Sequence, residues 1–130
     1  MLSDTHAAGI AITTVNRVLL VTMQPDLDEA QLQQLNGLLG ARAMQEKPNA
    51  IVLDFSTVAL LSLREFRRIC SMLLALRLLG AQVAISNLCS EIVIYLAERD
   101  ATYPEIRFFM SLQDAINTFT TDGGQPHGGR

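Results

Sequence analysis

A chain of 130 residues that is 49% apolar, with no Trp and only five Phe and two Tyr, has the makings of one domain with an aliphatic core that needs neither disulfides nor metals. Its net charge of −3 lacks the basic excess of a nucleic-acid binder, and its longest apolar stretch, residues 69–85, is broken too often to span a bilayer. Charged residues are 18% of the chain, below the ~25% usual in soluble domains, so either another chain covers part of the apolar surface or the core is simply compact.

Residues 1–8 contain Asp4 and His6 and no apolar signal segment, and read as the flexible N-terminus of a cytoplasmic protein. Two strands follow at 10–14 and 17–23 about a turn at Val15-Asn16, and the run Val18-Leu19-Leu20-Val21 suits a strand buried on both faces. After Pro25, Leu27, Leu32, Leu35, Leu38 and Leu39 recur at helical spacing, with Asp26 expected as N-cap and Glu29 three residues on. Gly37 and Gly40 each weaken that helix by about 1 kcal/mol relative to Ala and mark either close packing or an early end. Pro48-Asn49 stops it.

Residues 50–55 form the next buried strand, and residues 63–79 the most apolar helix, closed by Gly80. A strand at 82–86, a helix at 90–99 and a strand at 105–109 come next. Ser111, with Asp114 three residues later, opens a final helix to Phe119. Residues 9–119 make the domain, and 120–130, with Gly-Gly-Gln-Pro-His-Gly-Gly, read as a disordered tail. Helices between apolar strands demand parallel crossovers. The expected fold is therefore α/β, a mixed sheet with an N-terminal hairpin and then parallel strands, carrying about four helices.

The residues supply no catalytic machinery. His6 and His127 lie in the expected flexible ends, no cluster has metal-ligand spacing, and neither a glycine-rich phosphate loop nor a nucleophile elbow is present, so no enzyme, metal or cofactor is read. Cys70 and Cys89 read as reduced core thiols. Asp54, at a strand end, either caps the turn that follows or acts as a general base beside Ser56. Ser62-Leu63-Arg64-Glu65 fits a capping box; because a helix N-terminus also favours phosphate, Ser62 is a cap alone or a cap that is phosphorylated. Arg64, Arg67 and Arg68 share a helix face, which is either solvated or a docking patch for an acidic partner or an anion. Residues 69–79 are apolar nearly all round, and Ile92, Val93, Ile94 and Leu96 extend that surface, so a homo-oligomer is expected.

In chain order, Val18-Leu19-Leu20-Val21, Asp26-Leu27-Asp28, Ile51-Val52-Leu53-Asp54-Phe55-Ser56-Thr57-Val58 and Leu79-Gly80-Ala81-Gln82-Val83-Ala84-Ile85 resemble the STAS domain of bacterial anti-sigma-factor antagonists, above all its stressosome scaffold branch. The resemblance covers about residues 10–119. It implies a non-enzymatic signalling module that docks a switch kinase, an anti-sigma factor or another STAS protein through Thr57, Ser62, Leu63, Arg64, Arg67 and Arg68. In that family an Asp-Ser or Asp-Thr pair opens the helix after the loop, and phosphorylation of its hydroxyl by a partner kinase abolishes binding. Here Ser62 falls on the Asp position and Leu63 on the phosphoacceptor position. The usual switch is missing unless Ser62 substitutes, and a shift of one residue turns a side chain by about 100 degrees on a helix. Ser86 aligns with a second phosphorylated hydroxyl at the end of the following strand, or is a strand-end turn residue. Two other functions stand beside this one. They are a structural homo-oligomeric scaffold subunit without a switch, and a small-molecule sensor using the strand-end pocket near Asp54.

Overall fold

The computed structural model describes residues 5–7 and 10–124. Apolar strands alternate with helices in the order β1 (Thr5–Ala7), β2 (Ile10–Val15), β3 (Val18–Thr22), α1 (Glu29–Glu46), β4 (Ala50–Asp54), α2 (Leu63–Arg77), β5 (Gln82–Ser86), α3 (Ser90–Ala97), β6 (Ile106–Phe109) and α4 (Leu112–Gly124). The strands form one sheet in sequence order, β1-β2-β3-β4-β5-β6. The first two pairings are antiparallel and the other three parallel, as hairpins and helical crossovers respectively require. The mixed α/β sheet with an N-terminal hairpin and four helices is the architecture expected from the sequence.

Successive side chains point to opposite faces of a strand, which sorts the core into two layers. Leu19, Val21, Ile51, Leu53, Val83 and Ile85 face one side, where they meet Leu35 and Leu39 of α1, Phe66 and Leu73 of α2, and Ile92 and Leu96 of α3. Val18, Val52 and Ala84 face the other, under Ala115 and Phe119 of α4. Among the described residues, three helices therefore cover one face and one helix the other. Both faces being covered explains why β4 is buried at every residue and reads as an unbroken apolar run.

Several boundaries depart from the sequence reading for local reasons. Asp26 is not the N-cap of α1; its φ of 61° puts it in a left-handed turn after Pro25, a conformation a short polar side chain tolerates. Asp28 caps instead, accepting from the Gln31 amide at 2.7 Å, while the Gln31 side chain accepts from the Asp28 amide at 3.0 Å. The β2–β3 turn sits on Asn16 and Arg17, with φ of 50° and 65°, one residue later than Val15-Asn16; two consecutive positive φ values match the twist of a two-residue hairpin. The α2 helix ends at Arg77 and passes through Leu78-Leu79 to Gly80, whose φ of 106° suits glycine.

The ends also differ from expectation. Thr5–Ala7 is strand, where antiparallel pairing places His6 opposite Ala11 and gives the backbone its partners. The α4 helix runs to Gly124, into the expected tail, since each residue added to an established helix gains a hydrogen bond. Residues 1–4 and 125–130, His127 among them, lie outside the described residues. A Cβ added at Gly37 or Gly40 would meet nothing within 4 Å, so neither marks a close approach.

The α4 layer rests on few side chains. Phe119 is fully buried and meets the Phe109 ring edge-on at 5.6 Å. Phe119→Ala is expected to cost ~3–5 kcal/mol in urea unfolding. A loss below about 1 kcal/mol, the size of an ordinary substitution, would show that α4 is not part of the cooperative core.

Candidate functional site

β4 ends at Asp54, and the loop from Phe55 to Leu61 carries the chain to α2. Asp54 is 5% exposed, and neutral donors take up its carboxylate. Oδ1 accepts from the Ser86 hydroxyl and the Asn87 side-chain amide, each at 2.7 Å, and Oδ2 accepts from the Ser56 hydroxyl at 2.6 Å. The parallel register sets this up by placing Asp54 beside Ser86. Burial opposes ionisation, but the bonds from Ser56, Ser86 and Asn87 outweigh it and hold the carboxyl below the ordinary aspartate range. With the Ser56 amide also 3.4 Å from Oδ2, internal donors face each of the carboxylate's lone pairs. The geometry makes Asp54 a fastener of the loop.

Further ties fix the loop to its neighbours. The Met23 amide donates to the Asp54 carbonyl at 2.9 Å, the Phe55 amide to the Ser86 carbonyl at 2.9 Å, and the Thr57 hydroxyl to the Met23 carbonyl at 2.8 Å. The loop then delivers Ser62 as N-cap of α2. The Ser62 hydroxyl accepts from the Glu65 amide at 3.0 Å, and the Glu65 carboxylate accepts from the Ser62 amide at 2.9 Å, closing the expected capping box.

Leu63, the first residue of α2, is half-buried, while Thr57, Ser62, Arg64 and Arg67 are exposed. Arg68 reaches across to α1 and pairs with Glu29 at 2.7 Å, and that bond holds the Glu29 carboxyl below its usual range. The pair divides two concavities. One, of about 430 Å³, lies between the loops and is lined by Met23, Leu27, Phe55, Val58 and Leu61, though not by Asp54. The other, a groove of about 830 Å³ between α1 and α2, is lined by Leu32, Leu63, Arg67, Met72 and Ala75. Arg64 and Arg68 border both.

Ser62 lines the first concavity and Leu63 and Arg67 the second, with Arg64 and Arg68 on both, whereas Thr57 lines neither. The structure separates Ser86 from them by sealing it, at 0% exposure, against Asp54. Sequence reasoning treated Asp54 and Ser86 apart; an Asp and a Ser ending consecutive parallel strands was the signal that joins them. Glu29 was read only as a capping residue, and nothing local in the sequence foretells its bond to Arg68. Cys70 is buried, which pushes its thiol up to about 12 and leaves it inert. Among the described residues, no group of three or more His, Cys, Asp or Glu could hold a metal ion. No helix among them is long and apolar enough to cross a membrane.

This fold recurs in solved structures. RsbS from Moorella thermoacetica superposes with a TM-score of 0.75 at 16% identity, over 89% of this chain and 98% of that one. The chain has the STAS fold. An anti-sigma-factor antagonist (STAS) domain protein from Planctomyces limnophilus gives a TM-score of 0.66 at 16% identity, over 85% and 97% of the two chains. A chain of the stressosome, a signal integration and transduction hub, gives 0.70 at 15% identity, over 88% and 99%. No protein-family model and no curated protein sequence matches the chain. The STAS likeness therefore rests on three-dimensional structure.

The Asp54 cluster has a pH signature. A carboxyl held below its unfolded value stabilises the fold above that value, and the contribution is lost as pH falls through the folded one. Stability is expected to decline as pH drops below the ordinary aspartate value of 3.8, partly through Asp54. Asp54→Asn, which sets an amide donor against three donors, is expected to cost ~1.5–3 kcal/mol at neutral pH and to flatten the acid decline. Urea unfolding of both proteins between neutral and acid pH checks this; an unchanged acid decline in the variant would exclude Asp54 as its source.

Proposed function

We propose that the chain is a non-enzymatic, cytoplasmic protein-docking module of bacterial signalling. It takes a partner regulator (a switch kinase, an anti-sigma factor or another STAS protein) on the surface formed by Thr57, Ser62, Leu63, Arg64, Arg67 and Arg68. The observation that carries the reading is Leu63 at the first position of α2. It is an apolar centre half-sunk in the α1–α2 groove, with a cationic rim from Arg64, Arg67 and Arg68. A desolvated apolar anchor ringed by charge is the layout in which a few residues carry most of the binding energy. The stressosome and RsbS chains of the same fold support a protein partner.

Docking here is not released by phosphorylation at the helix start. Leu63 has no hydroxyl, and the Ser62 hydroxyl already serves the Glu65 amide. Ser86 is sealed within the fold and donates to Asp54, so a kinase reaches it only if the ends of β4 and β5 come apart. A ligand-sensing role for Asp54 draws no support from a carboxylate whose bonds are all internal.

Calorimetric titration with a partner STAS protein, before and after treatment with the switch kinase, tests this. Affinity is expected to be unchanged by the kinase and weakened at least about tenfold by Arg67→Glu, a loss of 1.4 kcal/mol or more. Ser62→Ala is expected to cost ~1 kcal/mol of stability through the lost cap while leaving docking intact. Release of the partner by a phosphate mapped to Ser62 would overturn the reading.

A further inference from the structure

Resting on the docking reading above, we infer that what the partner lays into the α1–α2 groove is a helix, apolar along one face and acidic at one end. Both walls of the groove are rows of side chains spaced four apart, the rows that interlock when helices pack. On α2 one row is Leu63, Arg67, Ser71 and Ala75, and the other is Arg64, Arg68 and Met72. On α1 Leu32 and Asn36 stand across from them, with Gln33 alongside. From Leu63 to Ala75 the trough follows α2 for about three turns, roughly 18 Å at 1.5 Å per residue. Gln33, Asn36, Arg67, Ser71 and Ala75 are all exposed, so the trough is open along its length.

Backbone chemistry decides the form of the occupant. Both walls are helices whose amides and carbonyls bond within themselves, so the trough offers an entering chain side chains and no strand edge. A guest must satisfy its own backbone there, and a helix does so. Ser71 and Ala75, the smallest side chains on the walls, let its axis approach to the about 8–10 Å of packed helices, while Leu32, Leu63 and Met72 supply apolar contact. Charge decides which helix. Three guanidinium groups and one carboxylate line the groove, and that carboxylate, Glu29, is bonded to Arg68 at 2.7 Å. Arg64 and Arg67, both exposed at the start of α2, are left to meet carboxylates of the guest. The guest is therefore acidic where it lies over the first turn of α2, and uncharged where it lies over Ser71 and Ala75.

The probe is a fluorescein-labelled peptide of about 18 residues, long enough to form a helix, with a single leucine stripe and a glutamate cluster at one end. Its anisotropy is read against the full chain. The peptide is expected to bind, and to bind at least about tenfold more weakly with Lys in place of Glu or when scrambled so that the stripe is broken. Arg67→Glu and Ser71→Trp are each expected to weaken it at least about tenfold. Ser71→Trp fills the trough beyond the arginines, so docking on the arginine patch alone is indifferent to it. Should that variant fail to fold by circular dichroism, Ala75→Trp, one turn on, replaces it. A peptide that does not bind, binds as well when scrambled, or ignores the Trp variant overturns the inference. A partner STAS protein that stays docked under saturating peptide overturns it too, and leaves the docking reading in place. Peptide binding without docking of a partner STAS protein upholds the groove's preference and faults the docking reading instead.

Discussion

Asp54 spans two strands and a loop with one side chain: Oδ1 receives Ser86 and Asn87 from the end of β5, and Oδ2 receives Ser56 from the loop beyond β4. A buried carboxylate without partners costs several kcal/mol, so each donor is required by the others. The consequence is positional. The Phe55–Leu61 loop cannot drift while its first turn is held, and Ser62 therefore arrives at a fixed place to cap α2. The orientation of Leu63, Arg64, Arg67 and Arg68 follows from that cap. A bond network centred on one buried carboxylate thus sets the aim of an exposed surface.

That surface is stiff, and stiffness suits recognition more than it suits switching. The capping box satisfies two helix amides through Ser62 and Glu65, and the Glu29–Arg68 pair ties α2 to the first turn of α1. An exposed ion pair contributes little to stability, yet it orders the guanidinium between the two concavities. Little ordering entropy is left to lose when a partner binds. Under the docking reading proposed above, partner occupancy follows the abundance of the components rather than a covalent state of the helix start.

Much of this was legible because the relevant signals are local. Apolar runs flanked by helical periodicity foretold β3, β4 and β5, and Ser62 with Glu65 foretold the start of α2. The capping of α1 was misread because Asp26 and Asp28 both fit an N-cap by residue type, and Pro25 decides between them by turning Asp26 left-handed. The Asp54–Ser86 bond was missed because it depends on register between strands that are far apart in sequence. The ends were underestimated for a related reason: Thr5–Ala7 becomes strand only through its partner β2, and composition does not reveal a partner.

The covering of the sheet by one helix on its second face has a temporal side. Val18, Val52 and Ala84 are made early in the chain, yet the residues that shield them, Ala115 and Phe119, are made more than thirty positions after the last of the three. A ribosome extends the chain at roughly 5–20 residues per second, so a nascent sheet shows a bare aliphatic strip to its surroundings for seconds. The second face is closed by the last helix of the described residues, and the exposure of the strip to misassembly is concentrated in that interval.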